Sequence, residues 1–547
     1  MKIKHIILLL TSIALLAAVL VGAYYVMGNI KDEIDITDTA RKVFADFKEK
    51  ALTTEVTALV GKEQKMAENW SEVKDICFDS MDGILLSYAK GQTDHSLALR
   101  AMESYFLFPL NASERSYYLD KIATIENGRE AYRRAINETD TLTALPLLCK
   151  VSADDEYYYP AAQKKVKEIL DIDILRSDSL MKLSRGRTDS TLEFLNTVRT
   201  FAGEDSGINR LIEYVELYKE NEENTVKYRG QIEILSVRNL MAFPELVYAE
   251  DSGYTDTYDS SLITPKEFKA ILNELYNRDY ILVSINSIGD AEHLSGIDLP
   301  VGKKPFALII EDLTYPSANR GSGVCDMLGI DDAGALCTVT DGKVSYDNES
   351  LLILEAFLRE HPDFTYKGAR GCISLTGYAG IFGYDITTDY GKEQAKRIAE
   401  LLTDDGWTFA SQSYSYADMS KASLETLKWD TEKWENEIEP LVGKAKVYVW
   451  PYGSHVRNGE KHSYLHGKGY SIFLGQGVDP YHAAEPDGLG VFFDRRSLTG
   501  YALRNYADRY AHLFDSESVI DGVRKEKSRM TNLPALSLRA FSIRTKV

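Results

Sequence analysis

Positive charge is the first shortage in this chain of 547 residues. Lysine and arginine number 63 against 83 aspartates and glutamates, a formal net charge of −20 at pH 7. A surface of that sign repels phosphate backbones, which argues against a nucleic-acid partner. Cysteine is scarce too. The five thiols, Cys77, Cys149, Cys325, Cys337 and Cys372, include no pair at C-x-x-C spacing, and their odd number excludes complete intramolecular pairing. Neither a zinc cluster nor a disulfide-stapled fold is expected, and buried free thiols are. Glycine and proline are sparse between residues 37 and 218, so that stretch has few reasons to break a helix.

Against these shortages stands one long apolar run. Residues 6–27 carry no charge, and Lys2 and Lys4 precede them. At about 1.5 Å per residue such a run is long enough to span a bilayer. The two lysines should stay on the cytoplasmic side and send the rest of the chain outward. A cleaved signal peptide is the rival, with Val21-Gly22-Ala23 as a tolerable cleavage site. The run continues through Tyr24, Tyr25 and Val26, which favours a retained single-pass anchor at the cell membrane, with the bulk of the chain extracellular.

Three segments follow from the patterning. Residues 1–30 form the anchor. Residues 31–225 read as an all-α bundle or helical-repeat stalk: Ile208, Leu211, Ile212, Val215 and Tyr218, for example, fall on one helical face. Residues 226–547 switch to alternating strands and helices. Strands are expected at 232–237, 280–285, 306–310, 372–375, 407–411, 446–450, 470–474 and 490–493, with helices between. Thr264-Pro265-Lys266-Glu267 is a helix start, with threonine as N-cap, proline at the first helical position and glutamate closing the capping box. Repeated β-α alternation over some 300 residues points to a parallel (β/α) barrel of seven or eight strands. Chemistry in such barrels sits on the loops after the strands.

Polar residues do gather there. Glu311 and Asp312 follow one strand, Ser411-Gln412-Ser413-Tyr414-Ser415-Tyr416 a later one, and Pro451-Tyr452-Gly453 the next. This order resembles the polysaccharide deacetylase (NodB-homology) family over roughly residues 226–505. That family carries an Asp-Asp pair, then Ser-His-x-x-x-His, then an aromatic-x-Pro-Tyr-Gly segment. The resemblance implies a deacetylase-like barrel whose first acid is the general base and whose second acid and two histidines hold a divalent metal, usually zinc. Carried over, Glu311 stands at the base position, Asp312 at the carboxylate ligand, and Gln412 and Tyr416 at the two histidine positions. A glutamine amide is a poor zinc ligand and a tyrosine must ionise from about 10 to bind well. No tight metal site is therefore expected. Tyr414, Trp450, Pro451, Tyr452, Gly453, His455 and Asp494 are the substrate-side candidates, by position or by their capacity to stack on or bond to sugars. His462 and His466, four apart, read as a solvated helix rather than a metal site.

The expected function is a membrane-anchored, extracellular protein that acts on or binds cell-wall or surface polysaccharide through a catalytically degenerate deacetylase-like barrel. Two alternatives stand beside it. One is an active deacetylase using zinc or another divalent ion in an altered site. The other is an envelope scaffold in which the helical half is the working part.

Overall fold

The computed structural model describes residues 2–53, 62–289, 294 and 296–524, and side chains within this range except 2–10, 12, 28–35 and 62–63. The chain divides into two compact units, 1–174 with 194–206, and 175–193 with 207–547. Helical segments 175–193 and 207–223 thus group with the strand-rich part, and strand structure begins at Thr225.

The first unit is helical. Its first helix, Lys2–Ala51, does not stop where the apolar run ends. From residue 36 onward it becomes a core helix: Ala40, Val43, Phe44, Phe47 and Ala51 recur at helical spacing and are buried. They pack with Val73, Cys77, Met81, Ile84 and Tyr88 of helix Trp70–Ala89 and with Tyr105 and Phe108. Asn111 and Glu114 close a capping box at the start of helix Ala112–Asn137. The expected transmembrane helix is not found here. Among the described residues no helix is long and apolar enough to cross a membrane, and the side chains of residues 6–10 and 12, part of the apolar run, lie outside the description. Of those that are described, Leu15, Leu16, Tyr24 and Tyr25 are 63–80% exposed.

The second unit is built on a closed parallel barrel. Its strands are β1 (Glu233–Val237), β2 (Lys304–Glu311), β3 (Cys372–Leu375), β4 (Thr408–Ser411), β5 (Val447–Val449), β6 (Ile472–Gln476) and β7 (Val491–Ser497). Each pairs in parallel with its neighbour in sequence, and β7 closes on β1 through Arg496↔Leu235 and Ser497↔Ser236. Side chains alternate across every strand. Ile234, Ile309, Cys372, Ala410, Val447, Leu474 and Phe493 fill the barrel. Leu235, Leu308, Ile373, Phe409, Tyr448, Phe473 and Phe492 face outward into the layer shared with the helices. Both faces are apolar, as a covered parallel sheet requires.

Helices Pro265–Asn277, Ser350–Glu360, Asp389–Asp404, Leu424–Glu437 and Gly459–Gly467 lie between strands in the chain. The helix start at Thr264 has both halves of its capping box. The strand expected at 280–285 ends at Leu282, and Ile285–Ile288 is a helical turn. It joins the base of β2 by a short parallel pairing, so the barrel has seven strands with this one as an accessory. Small antiparallel additions were not visible as patterns: the sheet Met327–Ile330, Leu336–Thr340 and Lys343–Ser345, and the pair Thr225–Tyr228 with Ile297–Pro300. Three to five residues of mixed polarity carry too little period-2 signal.

Candidate functional site at the barrel mouth

The inward alternation that gives Ile309 and Phe493 to the core gives Glu311 and Arg495 to the layer above it, at the C-terminal ends of β2 and β7. Both are buried. Arg495 Nε donates to Glu311 Oε1 at 2.7 Å, and Nη2 reaches Oε2 at 3.4 Å. The remaining guanidinium hydrogens go to the carbonyls of Leu474, Gly475 and Trp450. Gln412, directly after β4 and fully buried, donates from Nε2 to Glu311 Oε2 at 3.0 Å, and its Oε1 accepts from Ser374 Oγ of β3 at 2.9 Å. Arg238, the residue after β1, brings Nη2 to 4.0 Å from the same carboxylate. Burial works against ionisation of Glu311, but the charges of Arg495 and Arg238 outweigh it and hold the carboxyl at about 2. A carboxylate held there is a weak proton acceptor at neutral pH.

Asp312 and Tyr416 are also neighbours of Arg238. Asp312 takes φ 60° and accepts from Thr376 Oγ1 at 2.8 Å. Burial raises its carboxyl above the ordinary range, with Arg238 opposing. Arg238 donates to the phenol oxygen of Tyr416 and packs over its ring. Burial pushes that phenol up to about 12. The Tyr416 ring meets Tyr452 at 4.9 Å between centroids. Four non-glycine residues here, Asp312, Ser413, Tyr416 and Tyr452, have φ between 53° and 60°. Such left-handed backbone is uncommon outside glycine and is typical of functional loops held by their surroundings.

The strand-end residues Glu311, Asp312, Gln412, Tyr416 and Tyr452 therefore meet at one end of the barrel. Beside them lies a cavity of about 420 Å³ lined by Arg238, Glu311, Tyr416, Tyr452, Gln476, Arg495 and Ser497, and also by Ser260, Tyr501, Tyr506 and Tyr510. Other sequence candidates fall elsewhere. Tyr414 bonds Glu437 at 2.7 Å beneath the Lys433 ammonium and does not line the cavity. Trp450 is fully buried against Tyr448, and Pro451 is buried beside it. Gly453, at φ 71°, lets the chain pass where a Cβ would come within 2.4 Å of the Gln476 side chain. Asp494 points outward on β7, opposite to Arg495, and His455 lies tilted against the outward Phe492 at 4.5 Å. Neither lines the cavity. His462 is not solvated. It is fully buried between Asp487 at 2.9 Å and Glu485 at 3.5 Å, a structural tie from helix Gly459–Gly467 to the segment after strand Tyr481–Ala484.

A divalent metal does not fit these residues. Of the three metal-ligand positions implied by the deacetylase resemblance, only Asp312 offers a carboxylate. The Gln412 amide is engaged at both ends, and the Tyr416 phenol is bonded to a guanidinium whose charge would repel a cation. Among the described residues no group of three or more His, Cys, Asp or Glu side chains is placed to hold a metal ion.

No family model and no curated protein matches the chain. One solved structure is similar. It is described as the Streptococcus pyogenes deacetylase PplD in complex with acetate, with 15% sequence identity and a TM-score of 0.32 over 50% of this chain and 94% of that one.

Arg238 is the residue that sequence reading passed over. It follows β1 as directly as Asp312 follows β2 and Gln412 follows β4, and the same rule would have found it. Tyr501, Tyr506 and Tyr510 lie beyond the last strand, where no strand-end rule applies.

Proposed function

We propose that this chain is a membrane-anchored, extracellular binding protein whose barrel mouth holds cell-wall or surface polysaccharide without deacetylating it. The observation that carries the reading is that arginine side chains engage Glu311 and Tyr416, two of the residues to which the resemblance assigns catalysis or metal binding. Glu311 is locked to Arg495, Gln412 to Glu311 and Ser374, and Tyr416 to Arg238, so each residue at a family position for catalysis or metal binding has a structural partner. The tyrosine-lined cavity above supplies flat apolar faces and hydroxyls, the surfaces that sugars need. The strand-end order supports a deacetylase-type ancestry for the barrel. The uncharged run at 6–27 behind Lys2 and Lys4, at the start of a continuous 50-residue helix, supports the anchor.

The full chain, purified in detergent, should bind wall polysaccharide released from bacterial sacculi. Tyr452→Ala should weaken that binding about tenfold, the loss of one aromatic contact worth roughly 0.5–1.5 kcal/mol. Calorimetric titration reads this directly. Equal affinity in the variant, or no heat with the unmodified chain, would remove the mouth as the glycan site.

A further inference from the structure

His462 sits on helix Gly459–Gly467 with its side chain fully buried. Its Nδ1 lies 2.9 Å from Asp487 Oδ2 and its Nε2 lies 3.5 Å from Glu485 Oε1. That nitrogen and that oxygen are both buried, and among the described residues neither has a hydrogen-bond partner. A neutral imidazole has one N–H and one lone pair. With its hydrogen on Nδ1 it serves Asp487, and the Nε2 lone pair faces the Glu485 oxygen. With its hydrogen on Nε2, the Nδ1 lone pair faces Asp487 instead. Either tautomer sets two acceptors against each other inside the protein. The imidazolium, a donor at both nitrogens, satisfies both carboxylates at once.

The surrounding charges point the same way. Arg457, just ahead of the helix, donates from Nε to Glu485 Oε2 at 2.8 Å, from Nη1 to the Tyr481 hydroxyl at 2.9 Å and from Nη2 to the Ala484 carbonyl at 3.1 Å. With His462 charged, Arg457, His462, Glu485 and Asp487 sum to zero. With His462 neutral they leave one negative charge in excess, beside a Glu485 side chain that is fully buried. β6 presents the Phe473 ring, 4.4 Å from the imidazole. Helix Leu424–Glu437 brings Glu432 and Glu435, whose partners are Tyr464 and Lys468. On the histidine's own helix, Lys461 donates to the carbonyls of Met419 and Ser420. Burial works against the charged imidazole, but Glu485 and Asp487 outweigh it and raise its pKa above the ordinary histidine value.

The segment held in this way continues from the mouth. β6 ends at Gln476, and Gln476, Gly477 and Val478 line the cavity. Strand Tyr481–Ala484 follows, paired antiparallel with β7, and Glu485 and Asp487 come directly after it. Arg457 joins the same segment to the loop that carries Tyr452.

We propose that His462 is a proton-operated clasp: charged, it closes segment 481–490 onto helix Gly459–Gly467, and on losing its proton it releases that segment, which runs on from one flank of the mouth. The clasp does not depend on which ligand the mouth takes. A group whose pKa is raised on folding stabilises fully below its unfolded value, about 6.5 for histidine, and less and less as pH climbs through the folded value. The clasp should therefore be shut in mildly acidic solution and slacken in alkaline solution.

Hydrogen exchange read by mass spectrometry on the full chain in detergent tests this. Between about pH 6 and about pH 9, peptides from 481–490 should lose about tenfold of their protection relative to β2 peptides in the same sample. The comparison with β2 cancels the intrinsic pH dependence of exchange. Glu485→Gln keeps an acceptor for Arg457 and offers the Nε2 lone pair an amide donor, so a neutral imidazole is satisfied there and the segment should stay protected across the range. Unchanged relative protection in the unmodified chain, or the same pH step in Glu485→Gln, overturns the proposal. The comparison within the unmodified chain needs no variant, so misfolding of Glu485→Gln does not protect it.

Discussion

Arg495→Met should destabilise the barrel unit by roughly 3–5 kcal/mol, the cost of leaving one member of a buried ion pair without its partner. Glu311 is 3% exposed and accepts two hydrogen bonds from Arg495, at 2.7 and 3.4 Å. Without that guanidinium the carboxylate keeps the Gln412 amide and the Ser236 hydroxyl, with Arg238 at 4.0 Å, too distant for a direct hydrogen bond. Its carboxyl, held at about 2 in large part by Arg495, would move back up and take a proton or draw in water. The carbonyls of Leu474, Gly475 and Trp450 would lose their donor as well. The double change Arg495→Met with Glu311→Met removes both charges and should cost clearly less than the single change. Guanidinium denaturation followed by tryptophan fluorescence reads mainly the right unit, because four of the five tryptophans, Trp407, Trp429, Trp434 and Trp450, lie in it and only Trp70 lies in the helical unit. A single-variant cost below about 1 kcal/mol would mean that the pair is not closed in solution.

Glu267→Ala should be at least as damaging, because one carboxylate serves three elements. It closes the capping box by accepting from the Thr264 backbone N–H at 2.9 Å. It accepts from Arg524 through both oxygens, at 2.6 and 2.7 Å, and from the Asp521 N–H at 3.0 Å. Glu267 and Arg524 side chains are both fully buried. Arg524 would retain Asp259 at 2.9 Å, so its charge is not wholly abandoned. The buried pair sets a cost of roughly 3–5 kcal/mol and the lost cap adds about 1. Glu267→Gln keeps an acceptor for Thr264 and should recover the cap share alone. A cost within 1 kcal/mol for Glu267→Ala, on the same denaturation curve, would contradict this geometry.

These two sites also mark how far sequence carries. Thr264-Pro265-Lys266-Glu267 was readable as a helix start because a capping box is local, four residues that bond each other. That the same glutamate holds Arg524, 257 positions away, is not local, and no periodicity announces it. The barrel was legible because each β-α unit repeats an apolar run and an amphipathic stripe, as in Phe268, Ile271, Leu272 and Leu275. The mouth was legible in part, since Glu311 ends a strand and Asp312, Gln412, Tyr416 and Tyr452 follow strands by one to five residues. What sequence could not supply was direction. Asp494 and Arg495 are adjacent, yet alternation turns one outward to Phe492 and the other inward to Glu311. A strand whose register is off by one exchanges the two. The extent of the first helix was hidden for a different reason. Apolar chemistry ends at Met27, but helix continues to Ala51, through a stretch that holds no proline.

The central claim is that this mouth has a guanidinium where a metal hydrolase would hold an ion. Elemental analysis of the full chain after incubation with excess zinc and gel filtration tests it most directly, run beside an acetate-release assay on acetylated wall polysaccharide. No stoichiometric zinc and no acetate are expected. Nor should Gln412→His with Tyr416→His by itself recover the ion, because Arg238 remains 4.0 Å from Glu311 and its charge opposes a cation. One equivalent of zinc retained by the unmodified chain, with acetate released, would contradict the account and establish an active metal-dependent deacetylase.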